Sequence, residues 1–460
     1  MAADSSGGQR RGDTASVQEP VRQPRTVHLV SLGCPKNTVD SEQMLGLLRG
    51  NGYQLTADPQ AADVVVINTC GFIQAAKEES IEAIMAAHQL RRTGRCRAVV
   101  VTGCLATRYE HELRQELVEA DQIVTIEQER DIVPYVDQAL HAAPREPVIS
   151  PPVSLTPSHW AYLRISDGCD HRCSFCTIPA IRGRHCSQSI DSLTARTRQL
   201  AEGGVRELVL VSQDSMRYGR DLYGRPALVS LLRQLLSVDG IEWIRLMYAY
   251  PAYWTDDLIQ LFAASPRLCS YIDMPLQHIS DPVLRRMKRA ASRKQTVRLL
   301  ERLRQRLPGV GLRTTFIVGF PGETESQFQE LLDFVAETRF DHVAGFVYSP
   351  EEGTAAYELE GRLDPEVGEE RYARLSELQE GISAEINTGL IGTVHRVLVD
   401  ARDPEEGVCY ARMERDAPEI DGQVVIDSVQ SEPGSFVQVE ITDGYAYERR
   451  ARIVSADSRT

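Results

Sequence analysis

Three cysteines fall within eight residues of this chain, in Cys169-Asp170-His171-Arg172-Cys173-Ser174-Phe175-Cys176. A strand-like run, residues 161–166, leads into them and Thr177-Ile178-Pro179 leads out, so they occupy a loop. Thiolates this crowded repel one another unless a metal neutralises them. A structural zinc site wants four ligands, and His171 or His185 could be the fourth, but the C-x3-C-x2-C spacing is not that of a zinc finger. Three thiols cannot pair off as internal disulfides, and the chain has the look of a cytosolic protein. A cuboidal four-iron cluster has four corners, and three thiolates leave one iron open to chelate a substrate. The spacing favours that cluster.

Upstream, strands and helices alternate. Residues 27–31, 63–68 and 98–102 are β-rich apolar runs, and helical patterns cover 40–49, 75–90 and 109–119, with Gly50 and Gly52 as stop signals. The alternation predicts a doubly wound parallel sheet. Cys34, Cys70 and Cys104 each follow one of the three strands, so all three are expected at the carboxyl edge, where such sheets hold ligands. Intervals of roughly 35 residues carry no motif value, but the repeated strand-end placement does. Each sits among small residues, such as Gly33, Gly71 and Gly103, that allow close backbone approach. Buried structural thiols are the competing reading, which Cys96 fits better. A second three-cysteine cluster is favoured for the other three.

The 460 residues suggest about three domains. Residues 1–25 read as a disordered tail, with no apolar core for a signal peptide. No apolar run approaches the roughly 20 residues of a membrane span, and a cytoplasmic setting suits reduced thiols. The first domain is expected over 26–141 and a Pro-rich linker over 142–154. Over 155–387, strands are expected at 161–166, 207–212, 243–248, 271–274, 312–318 and 342–348. Six βα units predict an open, partial (β/α)6 barrel with its function at the carboxyl ends of the strands. The polar and glycine-rich segments Ser212-Gln213-Asp214, Pro275-Leu276-Gln277-His278 and Gly319-Phe320-Pro321-Gly322-Glu323 lie there. Five short strands between 394 and 454, divided by Gly and Pro, predict a small antiparallel OB-like barrel over 388–456.

The first cysteine loop, with Phe175 just before its last cysteine, resembles the signature of the radical S-adenosylmethionine (SAM) superfamily. That resemblance implies a four-iron cluster on Cys169, Cys173 and Cys176 whose open iron binds SAM, and reductive cleavage of SAM to a 5′-deoxyadenosyl radical. Phe175, Ser212, Gln277, Gly319 and Gly322 are the expected SAM contacts. Ser31-Leu32-Gly33-Cys34-Pro35-Lys36-Asn37-Thr38-Val39-Asp40-Ser41-Glu42, Asn68-Thr69-Cys70-Gly71-Phe72-Ile73 and Thr102-Gly103-Cys104-Leu105 are similar to the amino-terminal domain of methylthiotransferases. This implies an auxiliary four-iron cluster on Cys34, Cys70 and Cys104, and a terminal TRAM domain. The likeness runs from about Val27 to Val454. It departs at residues 184–188, where the family has a Ser-Arg-Pro element, and at 122–131.

Methylthiotransferases act on two substrate classes, tRNA adenosine and an aspartate of small-subunit ribosomal protein S-twelve. Between Gly392 and Thr460 there are eight arginines, no lysine and fourteen acidic residues, a net −6. RNA binding relies on cations that displace counterions, so this domain suits a basic protein partner better. The segments 39–42, 274–281 and 415–422 also resemble the ribosomal-protein branch. The implied activity is methylthiolation of the aspartate β-carbon, with one SAM as radical source and a second as methyl donor. The implied partners are that ribosomal protein, a reductant such as flavodoxin or ferredoxin, and a sulfur donor. A tRNA enzyme and a non-catalytic, metal-stabilised ribosome- or RNA-binding factor are the alternatives. Cys186, Cys269 and Cys409 are expected to be non-ligands.

Overall fold

A computed structural model describes residues 25–143 and 148–456. The expected tail, apart from Arg25, and part of the linker lie outside the described residues. The first domain is a five-stranded parallel sheet of β1 (Thr26–Ser31), β2 (Gln54–Leu55), β3 (Val64–Thr69), β4 (Ala98–Gly103) and β5 (Gln122–Ile123), in the order β2-β1-β3-β4-β5. The valine runs make this sheet possible because β3 and β4 are buried on both faces. Val64, Val66 and Val100 pack with Met44 and Leu48 on one side. Val65, Ile67, Val99 and Val101 pack with Ile84 and Ala87 on the other. The winding direction reverses between β1 and β3, which opens a crevice at the carboxyl edge.

Two helix boundaries differ from the periodicity, and both matter at that edge. The first helix, α1, begins at Pro35 and runs Pro35–Gly50, so Cys34 is its N-cap. Proline lacks an N–H, and the first helical position is where that loss costs least. The third predicted helix, 109–119, runs Glu110–Glu116 and is preceded by a separate short helix, Cys104–Arg108, which makes Cys104 a first helical residue. The described end of the linker packs along α1: a Cβ on Gly46 would meet the Pro151 carbonyl oxygen at 2.3 Å, and Asn51 bonds both Val148 N and O.

The central domain has six parallel strands, β6 (Trp160–Arg164), β9 (Glu207–Val211), β10 (Trp243–Leu246), β11 (Tyr271–Asp273), β12 (Gly311–Val318) and β13 (His342–Val347). A short antiparallel ribbon, β7 (Ser166–Asp167) with β8 (Cys186–Ser187), brackets the cysteine loop. The six form two three-stranded sheets, β6-β9-β10 and β11-β12-β13. A single bridge, Ile244 to Leu268, spans the seam. The terminal domain is a closed barrel of β14 (Val394–Asp403), β15 (Val408–Met413), β16 (Gln423–Ile426), β18 (Glu448–Ala456) and β17 (Phe436–Gly444). It is not wholly antiparallel, because β16 and β18 pair in parallel.

This small barrel closes the amino-terminal end of the larger one. Glu207, Tyr271 and His342 are the first residues of their strands, and each reaches a residue of the terminal domain. Asp416 and Asp421 enter from the turn between β15 and β16. Asp421 accepts from Tyr271 Oη at 2.7 Å and pairs with Arg313 at 3.2 Å. Asp416, fully buried, pairs with Arg449 at 2.8 Å and lies 3.5 Å from His342.

That arrangement has a pH signature. Burial opposes the charged form of His342, but Asp421 and Asp416 outweigh it and raise the imidazole above its ordinary value. A group raised on folding stabilises fully below its unfolded value, near 6.5, and loses that contribution as pH rises through the folded one. The thermal midpoint of the wild-type chain is expected to fall on moving upward from pH 6.5. His342→Gln should flatten that part of the profile, as read by calorimetry across the range.

Candidate metal centre at the barrel mouth

Cys34, Cys70, Cys104, Cys169, Cys173 and Cys176 all line one cavity of about 410 Å³ between the first two domains. The amino-terminal sheet therefore turns its carboxyl edge toward the carboxyl end of the barrel. Each set of three is shaped by its own backbone. Gly168 has φ +76°, and a Cβ there would meet the Arg184 carbonyl oxygen at 2.2 Å, so only glycine lets the loop fold back across its own exit. Cys169 N–H donates to Gly183 O at 3.1 Å, and Ser174 anchors the loop to Met287 O and Arg286 O. In the other set, Gly33 (φ +93°) brings the Cys34 turn against Cys70, where a Cβ would lie 2.8 Å from the Cys70 Cβ.

Burial pushes the Cys169 thiol up to about 11 and those of Cys104 and Cys176 up to about 12. Cys70 is raised for the same reason. These groups are protonated at neutral pH unless a metal displaces the proton, which coordination does outright. Among the described residues, no three His, Cys, Asp or Glu side chains converge as one ion would require. A mononuclear zinc site needs that convergence. Thiolates on a cuboidal cluster each take a different iron, so a cluster does not require that convergence. His171, a possible fourth zinc ligand, gives its Nε2 to Asp214 Oδ2 at 2.7 Å and stacks on Tyr250 with ring centroids 4.2 Å apart. His185 Nε2 faces Ser187 Oγ at 3.2 Å.

One side chain ties the two sets together. Arg182 ends the helix Ile178–Arg182 that closes the first cysteine loop. It is almost wholly buried and donates to Asn37 Oδ1 at 2.7 Å and Asp40 Oδ2 at 2.8 Å, both on α1. It also contacts Asp167 at 3.2 Å and reaches the Cys104 sulfur at 3.8 Å. Arg164 adds a second ion pair to Asp40. Glu351, on the loop after β13, joins the opposite side through Lys77 at 2.9 Å and Arg108 at 2.7 Å.

Of the five expected SAM contacts, Phe175 and Gln277 line the cavity, while Ser212, Gly319 and Gly322 stand outside its wall. Ser212 is fully buried, with its hydroxyl 2.9 Å from that of Ser215. Its neighbour Gln213 faces the cavity in its place, since successive side chains at a strand end point to opposite sides. Gly319 lies near Gly368, and Gly322 packs beside Gly361 and Arg286. The sequence reading missed Lys36, Tyr248, Tyr250 and Arg289, which also line the cavity, as does His171. Tyr248 and Gln277 hold φ at +58° and +73°, a conformation that costs a non-glycine residue energy and gathers at functional sites. Cys96, Cys269 and Cys409 are buried away from the cavity, and Cys186 is exposed.

Residues 26–125 match the Uncharacterized protein family UPF0004, 163–335 the Radical SAM superfamily and 391–454 the TRAM domain. A protein of Desulforamulus reducens named ribosomal protein uS12 methylthiotransferase RimO is 45% identical, covering 92% of this chain and 98% of its own. The protein of the same name from Pelotomaculum thermopropionicum is 46% identical over the same shares. This chain belongs to the RimO family of radical SAM methylthiotransferases. Cys34, Cys70 and Cys104 fall inside the UPF0004 match, and Cys169, Cys173 and Cys176 inside the Radical SAM superfamily match. A solved radical SAM methyltransferase, TsrM from Kitasatospora setae, shares the fold with a TM-score of 0.51 at 14% identity, covering 73% of this chain and 74% of its own.

Proposed function

We propose that this chain methylthiolates the β-carbon of an aspartate in small-subunit ribosomal protein uS12. What carries the reading is the convergence of two three-cysteine sets on one cavity, in a chain whose named relatives align over 92% of its length. Cys169, Cys173 and Cys176 would hold one four-iron cluster, and Cys34, Cys70 and Cys104 an auxiliary one. When bound, the clusters and SAM would supply the radical that takes a hydrogen from the β-carbon, the sulfur that replaces it and, from a second SAM, the methyl group.

The protein's own work is positioning and exclusion of water. Arg182 fixes the separation of the two cysteine sets. Phe72, Phe175, Tyr250 and Phe346 give the cavity an apolar wall, which protects a radical from solvent. Phe175 and Gln277 are the SAM contacts this geometry supports best; Ser212, Gly319 and Gly322 would act on the wall from behind. The proposed division is a catalytic pair of domains, 26–141 and 155–387, joined by the linker 142–154 and followed by the TRAM domain, 388–456. A flavodoxin- or ferredoxin-like reductant and a sulfur donor complete the reaction. No helix among the described residues is long and apolar enough to cross a membrane, and a cytoplasmic location fits a ribosomal target.

The test is anaerobic reconstitution with iron and sulfide, followed by mass spectrometry of two offered substrates with SAM and reductant. A methylthio mass gain on the aspartate of a uS12 loop peptide is expected. A gain on unmodified tRNA instead would overturn the substrate.

A further inference from the structure

The cavity wall carries four cations, Lys36, Arg182, Arg289 and Arg313, and no carboxylate. Three of the four are already engaged. Arg182 pairs with Asp40 and Asp167, and Arg313 with Asp273 and Asp421. Arg289 is half-buried, donates to Pro275 O and reaches the Cys173 sulfur at 3.8 Å. Lys36 differs. It is only 7% exposed, and its ammonium sits 3.1 Å from the centroid of the Tyr248 ring. Among the described residues it has no ion pair. Buried charges are ordinarily paired, because losing hydration costs far more than a ring face returns.

Its place in the chain adds to the cost. Lys36 is the second residue of α1, whose first turn contains no acidic side chain. The amino end of a helix carries partial positive charge, which repels a cation and attracts an anion. Tyr248 is held beneath the ammonium in a left-handed conformation, pinned by its N–H to Asp273 Oδ2 at 2.9 Å. An ammonium and a helix amino terminus thus face a cavity whose wall offers no Asp or Glu side chain, two residues from Cys34. A carboxylate brought in by a substrate would give Lys36 the pairing that no carboxylate of the cavity wall supplies.

We infer that Lys36 is the specificity residue for the substrate: its ammonium receives the side-chain carboxylate of the target aspartate and sets that residue's β-carbon beside the Cys34 set. This rests on the reading above that the target is an aspartate. A carboxylate is the only charged group on that side chain, and it is one bond from the β-carbon. Gripping it there would hold the reacting carbon in place, and an amide or a neutral residue would forfeit the grip.

The experiment measures binding of two peptides to the reconstituted holoenzyme with SAM and no reductant. One peptide spans the uS12 aspartate, and the other has asparagine in its place. The wild-type protein is expected to prefer the aspartate peptide by roughly ten- to hundredfold, the usual worth of a charge-assisted hydrogen bond. Lys36→Met should erase that preference by weakening the aspartate peptide alone, with iron content and cluster EPR spectra unchanged. Retention of the full preference by Lys36→Met would overturn the inference, as would equal binding of both peptides by the wild type. A lysine that merely balances auxiliary-cluster charge would instead shift that cluster's reduction potential and weaken both peptides alike, which also overturns it. If the wild-type enzyme adds no methylthio group to the aspartate peptide, the substrate reading itself has failed.

Discussion

Replacing Cys34, Cys70 or Cys104 with alanine is expected to halve the iron and sulfide of the reconstituted protein while leaving it able to cleave SAM. Replacing Cys169, Cys173 or Cys176 should remove the other half and abolish 5′-deoxyadenosine formation altogether. The asymmetry follows from the placement of the thiols. Each set is carried by its own domain, with its own glycine turns at Gly33 or Gly168, so losing one ligand set leaves the other backbone undisturbed. Neither class should form methylthio product, because both sets face the one cavity. Cys186→Ala and Cys409→Ala are the controls and should retain full iron. Iron and sulfide assays, EPR spectra and chromatography of deoxyadenosine read the outcomes separately. Full iron in Cys104→Ala would remove the auxiliary set from the proposal, and continued SAM cleavage in Cys173→Ala would remove the other.

Much of this site is written locally in the chain. Cys34, Cys70 and Cys104 each follow a valine-rich strand, and strands of a parallel sheet end at one edge. That inference needs only periodicity and sidedness. The Cys169 loop needs even less, since its thiols are neighbours in sequence. What could not be read are contacts made across long stretches of chain by residues with no local pattern. Arg182 looks like any helix-ending arginine, yet it meets Asn37 and Asp40 on another domain. Lys36 gives no sign in sequence that, among the described residues, no carboxylate pairs with it. Ser212 and Gln213 were told apart only by which side of the strand end each one faces.

The charge of the terminal domain divides between its surface and its contact with the larger barrel. Its excess of acidic residues is not all on the surface: Asp416 and Asp421 have buried side chains, and Asp400 is half-buried. Asp400 pairs with Arg412 and His159, Asp421 with Arg313, and Asp416 is buried on Arg449. They dock the domain onto the larger barrel, so they are not free to attract a basic partner. Glu405, Glu406, Asp427, Glu432 and Asp443 remain exposed. The assignment to the ribosomal-protein branch therefore leans on the relatives' likeness over the whole chain more than on this count.

The same inward-facing charges give the second large effect. Glu207 is fully buried between Arg245, also fully buried, at 2.8 Å and Arg412 at 2.8 Å. Glu207→Ala leaves Arg245 with the Glu414 carbonyl and no carboxylate, an uncompensated charge in a dry interface. Breaking such a pair from one side typically costs about 3–5 kcal/mol. The exposed pair of Arg450 with Asp427 is the contrast, and Arg450→Ala should change stability by no more than about 1 kcal/mol. Trp243 reports the event directly, because its ring packs edge-on against Phe436 of the small barrel with centroids 4.9 Å apart. Urea titration followed by tryptophan emission is expected to show an early red shift in Glu207→Ala, as the small barrel loosens before the rest unfolds. Iron content should hold through that first step, since the cysteines lie at the opposite end of the strands. An unchanged midpoint would mean the interface is hydrated or held by packing alone, and simultaneous iron loss would mean the two ends of the barrel are coupled.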